Sequence, residues 1–325
     1  MKKKKQIVLV SLSVGVLLML VKFTAFFLTN SNAILTDAAE SIVNVIASSF
    51  AFFSIYFASL PKDQNHPYGH GKVEFFSAFL EGVLIIIAGI IIISKTTYNV
   101  FYPEPIKELL QGAFLIGITG IVNGVLSWYM VKEGKKMNSL TIVADGKHLG
   151  TDAVSSFGLI IGLVLIYLTN LSWIDSLISF ALGFYIIYNG YKLTRISIGG
   201  LMDESDIEFV KNLLKHFNTY RRDEWIDVHN LRVQKYGETY HIDCHVTLPY
   251  YFDLVKVHQE VSDIDKAMNS GDYKAELFVH ADPCLPECCH YCNMKECPVR
   301  KEPQTINIEW HIGNVTKNQK HFDKD

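Results

Sequence analysis

Six apolar stretches, each about as long as a membrane-spanning helix, constrain the fold of this chain more than any other feature of its sequence. A bilayer core about 30 Å thick is crossed by a helix of about 20 mostly apolar residues. Because runs of this length exceed what a globular core needs, we predict six transmembrane helices. Their approximate bounds are 7–28, 34–60, 75–94, 110–131, 140–168 and 173–193.

The basic residues of the first 200 positions fall in alternate connections between these stretches. Lys2–Lys5 precede helix 1, KEGKK joins helices 4 and 5, and Lys192 and Arg195 come at the end of helix 6. Cytoplasmic loops carry the excess of Lys and Arg, so we expect both termini in the cytoplasm and a multi-pass protein of the cell's inner or plasma membrane. A basic start also suits a signal peptide, but the apolar run is too long and lacks a small-residue cleavage site.

The composition changes at about Asp203, where charged residues become dense and apolar runs shorten. From there the patterns predict helix, strand, strand, helix, strand, which makes a small α+β domain. The last 40 or so residues are rich in Cys and then polar, without a clear period. We therefore divide the chain into a transmembrane domain (1–200), a cytosolic α+β domain (201–283), and a Cys-rich segment with a polar tail (284–325).

The overall charge argues against one class of partner. With 30 Lys and Arg against 33 Asp and Glu, the net charge is -3. Nucleic-acid-binding proteins usually carry a clearly basic domain or patch, so we expect no nucleic-acid partner.

Polar side chains occur at matched spacings inside two predicted spans. Helix 2 contains D-x-x-E-x-x-x-N and helix 5 contains D-x-x-H-x-x-x-D, and their last two polar positions pair one turn apart on a helical face: Glu40 with Asn44, and His148 with Asp152. Two facing pairs offer three oxygen ligands and one nitrogen ligand, which suits a tetrahedral divalent cation. The alternative is polar contact between helices without a metal.

All six Cys residues follow position 243. Five of them lie in the sequence CLPECCHYCNMKECP: Cys284, Cys288, Cys289, Cys292 and Cys297. Cytoplasmic thiols stay reduced, so this cluster indicates metal ligation or redox chemistry rather than disulfides. It contains one C-x-x-C, a common zinc spacing, but lacks the second of a zinc ribbon. We expect Cys244 to be a buried strand residue.

The two helix motifs, together with HPYGHGKVEF after helix 2 and HADP at the end of the α+β domain, resemble the cation diffusion facilitator family of proton-coupled divalent metal exporters. The resemblance covers about residues 7–284. It implies six helices, a ferredoxin-like cytosolic domain, a homodimer, and a transport site made of Glu40, Asn44, His148 and Asp152. Helix 5 fits the zinc-type pattern, whereas helix 2 departs from it at Glu40 and Asn44. Zinc is thus the first expectation for the transported and regulatory ion, and Fe2+, Mn2+, Co2+ and Cd2+ are alternatives.

The same resemblance implies two further metal sites. Asp63, His66 and His70 match a loop site near the membrane surface, although HPYGHGK also suits a simple turn between helices 2 and 3. In the cytosolic domain the implied ligands of a zinc site between subunits are His229, His245, His280 and Asp282, with His258 as a further candidate.

These features together predict metal export by alternating access around the helix 2 and helix 5 site, in exchange for protons. The ligands bind metal only when deprotonated, so protons compete with the ion. The expected partners are metal cations, protons, membrane lipid and a second copy of the chain. No P-loop G-x-x-x-x-G-K-[ST] occurs, and we expect no enzyme activity. A membrane-anchored metal sensor or regulator without transport is the alternative, and a metal-dependent membrane hydrolase is a weaker one.

Overall fold

The computed structural model describes residues 2–29, 32–102, 109–169, 173–269 and 273–321. The chain forms two compact units, Met1–Met202 and Asp203–Asp325. The side chains of Asp37, the first residue of the helix 2 motif, and of Glu40 lie outside the described part of the chain, although the helix that carries them is described.

The described part of the first unit contains six long helices. They are α1 (Lys2–Thr29), α2 (Asn32–Ala58), α3 (Val73–Phe101), α4 (Leu109–Lys136), α5 (Leu140–Thr169) and α6 (Trp173–Leu201). Each extends past the predicted apolar stretch at one or both ends. Among the described residues, Lys3–Thr24 and Val73–Phe101 are long and apolar enough to cross a membrane by length and composition alone.

The helices of this unit pack in close pairs, of which α3 with α6 is the most extensive. Glycines line this contact on both helices. A Cβ atom built on Gly82 would lie 3.0 Å from the carbonyl oxygen of Gly190, and one built on Gly89 would lie 3.1 Å from that of Gly183. In lipid, small residues of this kind let helices approach closely and gain van der Waals contact.

Ion pairs join several segments at one end of the unit. Lys4 Nζ lies 3.1 Å from Glu74 Oε1, and both side chains are buried. The second oxygen of Glu74 accepts a hydrogen bond of 2.5 Å from Ser139 Oγ. Lys3 Nζ pairs with Glu133 Oε2 at 2.6 Å. The start of α1, the start of α3 and the turn between α4 and α5 therefore meet at the same end.

The second unit has the predicted order of helix, strand, strand, helix, strand. Its elements are α7 (Ile207–Tyr220), β1 (Asp227–Tyr236), β2 (Thr239–Leu248), α8 (Leu254–Met268) and β3 (Lys274–Pro283). The described strands form one sheet in the order β1-β2-β3, with β1 antiparallel and β3 parallel to β2. Asp206 caps α7 and Asp253 caps α8, since each carboxylate accepts a backbone N–H of the first turn.

The residues after β3 pack onto this unit. A 3-10 helix covers Pro286–His290, and a short helix, α9, covers Ile312–Val315. Trp310 is buried in the same core as Phe217 and Ile242, and the guanidinium carbon of Arg221 lies 3.9 Å from the centre of its ring. The sequence predicted a polar tail here, because one buried Trp gives no periodic signal.

The α3–α6 contact predicts a selective effect of adding a methyl group. In Gly190→Ala the new Cβ would lie 2.9 Å from Gly82 O and 3.0 Å from the backbone nitrogen of Ile86. Overpacking of this kind costs about 1–3 kcal/mol, so the melting temperature of the detergent-solubilised chain should fall. The control, Gly124→Ala, meets Ala153 Cβ at an ordinary 3.6 Å and should leave stability unchanged or higher. Equal melting temperatures would contradict this packing.

Candidate metal sites

The polar residues of α2 and α5 meet in the first unit. Asn44 Nδ2 donates a 2.6 Å hydrogen bond to Asp152 Oδ2. Asn44 Oδ1 lies 2.9 Å from His148 Nε2. The structure thus brings together three of the four residues predicted for the transport site. Glu40 lies one turn before Asn44 on α2, and its side chain is outside the described part.

A second contact joins the same two helices one turn further along. Ser48 Oγ donates a 2.9 Å hydrogen bond to Asp145 Oδ1. Asp145 lies three residues before His148, and Ser48 lies four residues after Asn44, so both contacts use the same pair of helical faces. The polar face of α5 therefore makes hydrogen bonds with α2 over about one turn of each helix.

Glu81, on α3, is a residue of this region that the sequence interpretation missed. Its side chain is 1% exposed and its Oε2 lies 3.5 Å from His148 Nδ1. Neither of its carboxylate oxygens accepts a hydrogen bond from the described residues. A charged residue in the middle of an apolar helix was the available signal, since such residues are functional by default. A third helix thus contributes a carboxylate beside the α2–α5 contact.

The loop between α2 and α3 gathers its three predicted ligands. The potential ligand atoms of Asp63, His66 and His70 all lie within 4.8 Å of one another. Asp63 Oδ1 is 3.0 Å from His66 Nδ1, and Asp63 Oδ2 is 3.3 Å from His70 Nε2. A hydrogen bond from the backbone N–H of His66 lowers the pKa of the Asp63 carboxyl and favours the charged form that a cation would need.

A row of His residues crosses the sheet of the second unit. The register places His229 of β1 opposite His245 of β2, and His245 beside His280 of β3. All three rings approach Asp282. Its Oδ2 lies 3.2 Å from His229 Nε2 and 3.3 Å from His245 Nδ1, and its Oδ1 lies 3.4 Å from His280 Nε2.

The members of this row differ in exposure. Burial lowers the pKa of His229, so the ring favours the neutral form that ligates metals. The ligand atoms of His229, His245 and Asp282 lie within 4.8 Å of one another. His258 is exposed on α8 and does not belong to this group of the described residues.

The clustered Cys residues also come together. All five line a single cavity beside the 3-10 helix. Cys244, by contrast, lies in the core of the sheet, where burial raises its pKa to about 12. It is a buried strand residue, as predicted.

Comparison with known proteins agrees with this architecture. Residues 8–202 match the cation efflux transmembrane domain, and residues 203–284 match the cytoplasmic domain of cation efflux proteins. An uncharacterised transporter of Synechocystis sp. is 31% identical over 84% of this chain and 88% of its own length. The cation-efflux pump FieF of Cronobacter sakazakii is 23% identical over 83% of this chain and 90% of its own length. The manganese efflux system protein MneP of Bacillus subtilis is 24% identical over 87% and 97%.

These matches confirm the predicted fold class, a helical transmembrane domain followed by a small cytoplasmic α+β domain. They establish a membrane protein whose second domain is of the kind named for dimerisation in these transporters. The chain belongs to the cation efflux, or cation diffusion facilitator, family of transporters.

Proposed function

We propose that this protein exports divalent metal cations, zinc first among them, in exchange for protons. The observation that carries the proposal is the contact of Asn44 with both His148 and Asp152 across α2 and α5. In a cation efflux transporter, nitrogen and oxygen ligands at bilayer depth are suited to hold the ion in transit. Manganese, which the name of the Bacillus subtilis relative carries, is the main alternative ion.

The transport site would consist of Glu40, Asn44, His148 and Asp152. Two hydrogen bonds now connect Asn44 to its neighbours on α5. A bound cation would replace them. His148 Nε2 would lose the proton that it now donates to Asn44 Oδ1, and the lone pairs of both atoms would then bind the metal. The small rearrangement required favours a site that alternates between protonated and metal-bound forms.

We further assign Glu81 to this site. Asn44 supplies a neutral oxygen where a carboxylate would supply charge. Glu81 adds a negative charge from α3, on the opposite edge of the His148 ring from Asn44. The carboxylate from α3 therefore replaces the negative charge that α2 lacks at Asn44.

Alternating access around this site would couple metal and protons. The ends of α1 and α3 and the α4–α5 turn, joined by the Lys4 and Lys3 ion pairs, would face the cytoplasm, where the excess of Lys and Arg belongs. Metal would bind from that side. Protons from the other side would then compete for His148 and the carboxylates and release the ion.

The remaining sites would regulate transport in a homodimer. The row of His229, His245 and His280 with Asp282 forms a rigid set of ligands on a sheet, which suits a zinc ion that stabilises the cytoplasmic domains. Asp63, His66 and His70 would form a more exposed, weaker site. A metal sensor without transport would need these two sites but not ligands within the apolar helices.

Transport in proteoliposomes tests the proposal. Vesicles that contain the full-length chain should accumulate zinc under an imposed pH gradient. They should accumulate Mn2+, Fe2+, Co2+ and Cd2+ more slowly, and all accumulation should stop when the gradient is collapsed. Asp152→Ala should reduce flux to the background of empty vesicles, because it removes a charged ligand. Asp243→Ala, which changes an exposed carboxylate of β2, is the control and should transport normally. Normal flux in Asp152→Ala would refute the site, and metal binding without any flux would favour the sensor.

Two substitutions that change the charge of the transport site in opposite directions test the ligands. Glu81→Gln keeps the shape but removes a charge, and should weaken zinc binding by roughly tenfold, about 1.4 kcal/mol. Asn44→Asp adds a charge and should strengthen binding and change the order of metals. Isothermal titration of the full chain should carry Asp63→Ala and Asp282→Ala in every variant, so that zinc binding at the loop site and at the His site of the sheet is weakened equally. If Asn44 only bridges helices, affinities will stay the same and thermal stability alone will fall.

The proposed zinc site of the cytoplasmic domain predicts an effect on thermal stability rather than on transport. Zinc should raise the melting temperature of the full chain, because a ligand that binds only the folded state stabilises it. Asp282→Asn should greatly reduce that shift, since three His rings approach this one carboxylate. His258→Ala, on the exposed face of α8, should keep it. Loss of the shift in His258→Ala with retention in Asp282→Asn would overturn the assignment.

A further inference from the structure

The Cys-rich segment encloses a cavity of about 290 Å³. Apart from Arg300 and Lys301, its wall consists of thiols and mostly apolar groups, including Ile226, Leu285 and Val299. None of the six thiols forms a disulfide. The matched cytoplasmic domain ends at residue 284, so this cavity is an addition to the family domain and is independent of the transport function proposed above.

Backbone N–H groups point at the thiols of this cavity. Tyr250 N donates to Cys284 Sγ at 3.4 Å, and Leu285 N donates to Cys288 Sγ at 3.4 Å. N–H groups directed at sulfur stabilise thiolates, and in metal centres they orient the ligands and tune the metal. A segment evolved only to pack its Cys residues as small apolar groups would not need these donors.

Three of the thiols share one environment, and a fourth joins them at the cavity. Cys284, Cys288 and Cys292 belong to one packed cluster with Ile226, and Cys297 lines the same cavity. Among the described residues, Cys289 is not a member of that cluster. Cys289 directly follows Cys288 in the sequence, whereas the other four recur every four or five residues.

The distances between the thiols discriminate among metals. Four sulfurs at about 2.3 Å from one zinc ion lie about 3.8 Å from one another. Among the described residues, sets of three ligand atoms that all lie within 4.8 Å occur at the loop and cytoplasmic His sites, and the thiols do not form such a set. Thiols that surround a cavity at longer distances suit a cluster, in which iron and inorganic sulfide lie between them.

We propose that Cys284, Cys288, Cys292 and Cys297 bind a 4Fe–4S cluster in this cavity. Four Cys ligands are the usual set for such a cluster. Their sequence pattern is C-x-x-x-C-x-x-x-C-x-x-x-x-C-P. Each spacing is one residue longer than in the bacterial ferredoxin run that also ends in Cys-Pro, whose first three Cys bind one cluster and whose fourth binds the other in two-cluster ferredoxins. Binding releases the thiol protons, so the ligands enter as thiolates.

Arg300 supports this assignment by charge and by geometry. Its guanidinium donates to the carbonyl oxygens of Cys289 and Cys292, each at 3.1 Å, and to that of Met294. These bonds shape the loop that carries three of the four ligands. A cation beside the cavity also offsets the net negative charge that four thiolate ligands give to the assembled cluster.

Anaerobic purification of the full-length chain tests the proposal. The protein, as isolated or after incubation with equal amounts of ferrous and ferric iron and with sulfide, should contain iron and acid-labile sulfide in equal amounts, about four of each per chain. It should also show a broad visible absorption that bleaches on reduction. Cys292→Ser and Cys297→Ser should each lose that absorption and the sulfide. The control, Cys289→Ser, should keep them.

Each Cys variant should also be tested for transport and for zinc binding at the His sites, because a variant that retains both is folded. Loss of the absorption in a variant that still transports supports the assignment of a ligand. Stoichiometric zinc bound by the thiols, without sulfide, would overturn the cluster. Failure of the wild type to take up iron and sulfide, or loss in Cys289→Ser with retention in Cys292→Ser, would overturn it as well.

Discussion

Charged side chains buried among apolar helices are the constraint on which the first unit depends. A single ionisable residue at the centre of a membrane helix costs about 2.5–3.5 kcal/mol on insertion scales, and here Glu81 and Asp145 are each 1% exposed. The bundle concentrates such groups in one place, so that each lies near a polar neighbour on another helix. A divalent cation at that place would provide the positive charge that the carboxylates need as a partner. Burial disfavours an unpaired carboxylate, and the same burial would strengthen its attraction to a bound cation.

The packing of α3 explains how a third helix reaches this place. Gly82 turns one face of α3 toward α6, where its Cβ position is blocked by Gly190 O and by Thr194. The preceding residue, Glu81, lies about 100° around the helix axis from Gly82 and approaches His148 of α5. The glycine contact and the carboxylate are consecutive residues, so the close approach of α3 and α6 also fixes the position of Glu81.

The sequence predicted much of the fold because long apolar runs and alternation are local signals. The six helices and the order of helices and strands along the second unit followed from them, as did the polar positions Asn44, His148 and Asp152 that meet in the structure. Contacts between segments distant in sequence could not be predicted in this way. Glu81 was missed because its partner is on another helix, and the row of His229, His245 and His280 depends on strand register. Trp310 packs into the core from a segment without any period.

The central claim is that the transported ion lies where α2, α3 and α5 bring their polar side chains together. Its most direct test is a structure of the zinc-loaded full-length protein with anomalous scattering measured at the zinc edge. We predict a zinc peak about 2.1 Å from His148 Nε2 and from the Asp152 carboxylate, with Glu81 at the Nδ1 edge of the same His148 ring. Zinc peaks confined to the loop and the second unit, with none between α2 and α5 under saturating zinc, would contradict the account.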